Sequence, residues 1–147
     1  DNIFFTVEFN LQVDYSRKMN LLSSFGFLLC LNYIRHLKQS GCAWFAIPCS
    51  SWVWMSMGSS MRSYLRPQGW SEKRCTQIGN RLARRLCYML ELCFRKKVFY
   101  IIEQPQSSLL FQYKPLKKLL LRHGARMGQC SLGGYFAPTL KPATHQH

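Results

Sequence analysis

Two runs of the chain are apolar without a break: residues 44–47, W-F-A-I, and residues 98–102, V-F-Y-I-I. Neither alternates, which is the pattern of a strand covered on both faces. Between them Leu82, Leu86, Met89, Leu90 and Cys93 recur at three- and four-residue steps. That spacing predicts an amphipathic helix of about four turns, with Asn80 as its cap. Strand, helix and strand in this order form a βαβ unit. Its crossover makes the strands parallel, so their carboxyl ends emerge on one edge, where ligands of open α/β folds bind.

The remaining pattern extends this frame. Residues 4–13 are rich in aromatic and β-branched side chains and predict a strand ending near Asp14. Leu28, Leu31, Ile34 and Leu37 recur at helical spacing up to a stop at Ser40-Gly41. Residues 56–79 form a long loop rich in Gly, Ser, Arg and Pro, and loops of that length usually serve a function. Lys114-Pro115 opens a short helix that ends at His123-Gly124, and one further strand is expected in the tail after Met127. The expected fold is α/β, one domain over residues 1–147, with no internal repeat.

Charge changes the picture most. Twenty Lys and Arg oppose six Asp and Glu, a formal net charge of +14, so the protein's field draws polyanions and nucleic acid is the first partner to consider. A surface that is merely basic remains the competing explanation. With 48% apolar and 18% charged residues the composition is globular, which excludes a disordered polyelectrolyte. Seven cysteines without a C-x-x-C pair frame no zinc site; they read as reduced thiols of an intracellular protein, nuclear or cytoplasmic. The longest apolar stretch, residues 21–34, is too short and interrupted to span a bilayer, so no membrane partner is expected. Asp1 opens the sequence almost directly in strand-like residues, as a piece of something longer would.

Candidate chemistry follows from the shared strand edge. Cys49 in P-C-S-S follows the first apolar run and Glu103 in I-I-E-Q-P follows the second. A thiol and a carboxyl there would give a nucleophile and a proton donor facing one ligand. For Cys49 the plainer alternative is a small cysteine beside a turn proline, and for Glu103 a salt bridge to one of the many bases around it. Arg62, Arg66, Arg74, Arg81, Arg84 and Arg85 would clamp phosphates, or else form a solvated helix face. Trp52 and Trp54 would stack on a base, or pack behind the loop.

The stretches A-W-F-A-I-P-C-S-S at residues 43–51 and I-I-E-Q-P-Q-S-S-L at residues 101–109 resemble the Pro-Cys loop and the Glu strand of cytosine-5 DNA methyltransferases. They are closer still to a divergent methyltransferase-like group met in algae, dinoflagellates and phages. G-G-Y-F-A-P-T-L-K-P at residues 133–142 is similar to a Lys-Pro element closing the same site. The resemblance implies a Rossmann-like, mostly parallel sheet with flanking helices, incomplete at its N-terminal end. It implies that Cys49 adds to carbon 6 of a flipped-out cytosine while Glu103 bonds ring nitrogen 3, and that carbon 5 takes a methyl group from S-adenosylmethionine. Ser50, Ser51, Trp52, Arg62, Arg66, Arg84 and Lys141 would then contact DNA, and Asp14, Asn20 and Pro48 the cofactor.

Two parts of that family pattern are missing. No glycine-rich cofactor turn precedes Gly26, and no room for a target-recognition domain follows Lys141. The expectation is therefore a methyltransferase-like protein or a degenerate or partial derivative of one. A non-catalytic basic nucleic-acid-binding protein is the alternative. Either way, affinity for DNA should fall as salt rises from 50 to 200 mM, with a log–log slope of about 0.9 per phosphate neutralised; flat binding in a fluorescence-anisotropy titration would make the charge incidental.

Overall fold

In the computed structural model, which describes residues 19–129, helix α1 (Ser24–His36) leads into strand β1 (Cys42–Phe45). A short helix α2 (Met57–Ser60), the long helix α3 (Arg74–Arg95), strand β2 (Phe99–Ile102) and helix α4 (Lys114–Arg122) follow. The described residues are thus α/β, with four helices and a small open sheet of two strands. β1 and β2 pair in parallel, Cys42 opposite Phe99 and Phe45 opposite Ile102, with α3 in the crossover. The expected βαβ unit is present. The strand at residues 4–13, the tail strand, Asp14, Cys130 and Lys141 lie outside the described residues.

Among the described residues the apolar runs are covered on one face only, where the sequence pattern leads one to expect strands buried on both. Phe45 is buried, while the alternate positions Trp44 and Phe99 are 66% and 67% exposed. The side-chain period of two puts Cys42, Trp44, Phe99 and Ile101 together on the open face.

α3 is long because both its halves are buried for different reasons. Its second half supplies Ala83, Leu86, Met89, Leu90 and Cys93 to the core, where they meet Cys30 and Ile34 of α1, Phe45 and Ile47, and Leu109, Leu110 and Leu116. Its first half begins at Arg74, six residues before the expected cap, since Thr76 and Gly79 are buried against the loop that precedes it. Asn80 accordingly lies inside the helix and caps nothing.

Polar fasteners set the ends. Ser23 Oγ caps α1 by accepting from Gly26 N–H at 2.9 Å, and Arg85 of α3 donates to the carbonyls of Leu21 and Ser23 while lying over the Phe27 ring. Glu91 of α3 gathers Arg95, Arg122 and His123. His123, its side chain 1% exposed, stacks on Phe94 and meets the Tyr100 hydroxyl at 2.9 Å. The Glu91 carboxyl is held below its usual range by hydrogen bonds from Arg95 and His123 and by the Arg122 charge.

Burial pushes the thiols of Cys30 and Cys87 up to about 11 and that of Cys93 to about 12, from an ordinary value of 9.0. A thiol whose pKa is raised by folding contributes stability that is complete below pH 9 and is lost as pH climbs towards the folded value. The urea midpoint should therefore fall between pH 9 and 10. It should fall less in a Cys30→Ala variant; equal slopes for the two proteins would contradict the assignment.

Candidate functional site

The pairing of β1 with β2 does not stop where the strands do. Glu103 N–H donates to Phe45 O at 2.9 Å, and one residue on, Gln104 Nε2 reaches Ile47 O at 2.7 Å. Ser108 Oγ holds the other end of that amide, at 2.9 Å from Gln104 Oε1. Leu109 N–H then donates to Trp52 O at 2.8 Å, and Val53 bridges Ser108 antiparallel. The loops following the two strands are laced together from residue 45 to 53 on one side and 103 to 109 on the other. Pro48 and Cys49 lie inside the laced interval, since both Ile47 and Trp52 are tied to the loop that carries Glu103.

Cys49 is half-buried, and its carbonyl accepts from Trp52 N–H at 2.7 Å and Val53 N–H at 3.1 Å, which closes a tight turn. Its thiol is therefore not sealed in the core as those of Cys30 and Cys93 are. Glu103 is exposed, and among the described residues its carboxylate makes neither an ion pair nor a hydrogen bond. The salt-bridge alternative for Glu103 is absent there; the acid that collects the cations is Glu91 instead. In so basic a chain, an exposed carboxylate without a cation partner leaves its oxygens open to solvent and to a ligand.

The residues expected to touch DNA divide in two. Ser50, Arg66 and Arg84 are exposed and keep that role open. Ser51, Trp52 and Arg62 are buried, at 5%, 0% and 2% exposure, which corrects their assignment as contacts. Trp52 packs edge-on against Tyr113 with ring centroids 5.6 Å apart, behind the loop rather than in front of it. Trp54, the other tryptophan, is exposed. Arg62 cannot reach a phosphate because its guanidinium is engaged inside: it donates to Pro67 O at 2.5 Å, Asn80 Oδ1 at 3.0 Å and Ser51 Oγ at 3.3 Å, and lies 3.4 Å over the Trp52 ring. Burial lowers its pKa to about 10.

The cofactor positions fit poorly. Asn20 Oδ1 accepts from Leu22 N–H at 2.8 Å in a local turn ahead of α1, Pro48 is exposed at the strand end, and Asp14 lies outside the described residues. Neither Asn20 nor Pro48 lines the two cavities described below. Among the described residues no three His, Cys, Asp or Glu side chains cluster to hold a metal, and no helix is long and apolar enough to cross a membrane.

Two cavities lie near the edge without including it. A crevice of about 1080 Å³ runs between β2 and α4, lined by Tyr100, Ile102, Gln104, Phe111 and His123 among others. A smaller one of about 480 Å³ is lined by Arg66, Gln68, Gly69, Trp70, Glu72 and Asn80. Cys49 and Glu103 line neither of these two, whereas Gln104, next to Glu103, lines the larger. No family model matches the chain, and neither a curated protein nor a solved structure matches it.

Sequence reasoning missed the packing that makes Gly79 obligatory. A Cβ there would fall on Ser51 Oγ, 2.8 Å from Arg62 Nη2 and 3.2 Å from Trp52 Nε1. In the sequence this glycine reads as the last residue of the loop before Asn80, and nothing in the pattern marks its packing. Gly79→Ala, although it raises helix propensity, should destabilise the protein by about 2 kcal/mol through overpacking. Chemical denaturation checks the sign, and a stabilised variant would contradict the packing.

Proposed function

We propose that this protein is a partial or degenerate relative of cytosine-5 DNA methyltransferases that binds nucleic acid, DNA in the first place, and engages an extruded cytosine with Cys49 and Glu103. The observation that carries the reading is the laced strand edge. A half-buried cysteine and a carboxylate without a partner among the described residues stand on loops joined by three hydrogen bonds around them. The order P-C-S-S, then E-Q-P, on successive parallel strands supports it, and with it a Rossmann-like ancestry for the sheet.

The chemistry these two residues would perform needs no third group. A base must leave the stack before a thiol reaches its ring. The Cys49 thiolate would then form a bond to carbon 6 while the Glu103 carboxyl gives a proton to nitrogen 3. The carbon 5–carbon 6 π pair moves towards carbon 5 and the ring. Water then gives a proton to carbon 5, and the hydroxide so formed takes the original carbon 5 proton. The thiolate leaves carbon 6 as the π pair returns, nitrogen 3 gives its proton back to Glu103, and cytosine is released with its carbon 5 hydrogen exchanged. Exposed Arg66 and Arg84 supply phosphate contacts, and exposed Trp54 and Trp70 supply stacking faces. Methyl transfer would also require adenosylmethionine, and no step is assigned to it.

The second reading is a basic nucleic-acid-binding protein without chemistry, and the net charge of +14 with exposed Arg66 and Arg84 supports it equally. The two part company on exchange. With single-stranded DNA in deuterated buffer, the chain should catalyse deuterium incorporation at carbon 5 of cytosine, and Cys49→Ser and Glu103→Gln should each lower the rate by at least about a hundredfold. Exchange no faster than in buffer, with DNA binding intact in all three proteins, would leave only the second reading.

A further inference from the structure

Arg62 is the most unusual side chain of the described residues: a guanidinium, 2% exposed, with no carboxylate against it. Its charge is met by carbonyl and side-chain dipoles and by the face of an indole. Besides Pro67 O, Asn80 Oδ1 and Ser51 Oγ it approaches Thr76 O at 3.4 Å. Arg62 Nε and Trp52 Nε1 make no hydrogen bond among the described residues. Such a group is a poor source of stability, because taking a cation out of water carries a penalty that dipoles repay only in part. It is a good source of position, because a planar fork with fixed donors admits few arrangements of the atoms around it.

What it positions is the turn behind the candidate nucleophile. Ser51 and Trp52, the second and third residues after Cys49, are the two side chains of that turn that Arg62 holds, one by a hydrogen bond and the other by stacking. Trp52 N–H closes the turn onto Cys49 O, and Trp52 O receives Leu109 N–H from the loop that follows Glu103. The far side of the clamp is built for the same purpose. Gly69, at φ +63°, and Gly79 each leave the space that Arg62 fills, since a Cβ on Gly69 would come within 2.9 Å of its Cγ. Thr76 Oγ1 fixes the preceding segment by donating to Ser60 O at 3.0 Å.

We infer that Arg62 is a positioning residue, which acts through Ser51 and Trp52 to hold the Cys49 turn against the Glu103 loop. Its meaning for catalysis rests on the function proposed above, but the positioning itself is measurable without nucleic acid. The long Gly, Ser and Arg segment between β1 and α3 is then a brace that returns to the strand end it left, with Arg62 as its contact.

The test follows two rates in the full chain. Alkylation by iodoacetamide, mapped by peptide mass spectrometry, reports how freely the Cys49 turn opens, and Cys42, exposed on β1, is the internal reference. In Arg62→Met the turn should open more often, so that Cys49 alkylation rises about tenfold relative to Cys42 while carbon 5 exchange on cytosine falls. Added guanidinium, at concentrations below those that denature, should reverse both changes. Should Arg62→Met fail to fold, Ser51→Ala removes the hydroxyl contact alone and should show the same opposed changes at smaller size.

An unchanged Cys49-to-Cys42 ratio in a folded variant overturns the inference, as does a change that guanidinium leaves untouched. Absence of carbon 5 exchange in the unsubstituted protein would overturn the proposed chemistry only. The alkylation ratio would still decide the role of Arg62.

Discussion

The account depends on the parallel pairing of β1 and β2 carried beyond the strands themselves. A two-stranded parallel ribbon is weak alone, with few hydrogen bonds and one apolar face open. Here the main-chain bond from Glu103 to Phe45 is followed by the Gln104 amide on Ile47 and by the Val53–Ser108 bridge. The loops thereby become part of the same unit as the strands. Two chemically useful groups that are 54 residues apart in sequence are held on one edge by this continuation, not by any bond between them.

The rest of the architecture serves as backing. α3 spans the crossover and gives one half to the core and the other to the Arg62 brace, so a single helix connects the buried hydrocarbon with the polar clamp. α4 is secured by the contacts of Arg122, at its end, and His123, its cap, with Glu91 of α3. The described cations therefore fall into two populations. Arg62 and Arg85 are consumed internally, and the exposed ones, Arg66 and Arg84 among them, carry the field felt by a polyanion.

Much of this was legible in the residues. Uninterrupted apolar runs on either side of a regularly spaced helix define a βαβ unit because hydrophobic periodicity is set by backbone geometry, and Lys114-Pro115 marks a helix start for an equally local reason. What the pattern could not carry is tertiary. Arginine's type says exposed, yet Arg62 is buried because the far ends of a long loop and a helix enclose it, and single-residue tendencies contain no information about that enclosure. Asn80 looks like a cap by type, but burial of Thr76 and Gly79 pulls the helix start back to Arg74. Likewise a wholly apolar strand implies two covered faces, while Trp44 and Phe99 remain open. The pairing of Cys49 with Glu103 was legible only as a shared edge; the lacing that fixes it runs through Gln104 and Ser108, neither of which the sequence singled out.

The central claim is spatial, and it is tested most directly by bridging. In a Glu103→Cys protein whose Cys42, Cys75 and Cys130 are replaced by serine, a bifunctional thiol reagent spanning about 10 Å should join residues 49 and 103 within one chain, since two residues of extended backbone separate Cys49 from the tied Ile47. The bridged peptide pair should dominate the mass spectrum at stoichiometric reagent. Separate labelling of the two thiols, with no bridge at any reagent ratio in the folded protein, would contradict the account.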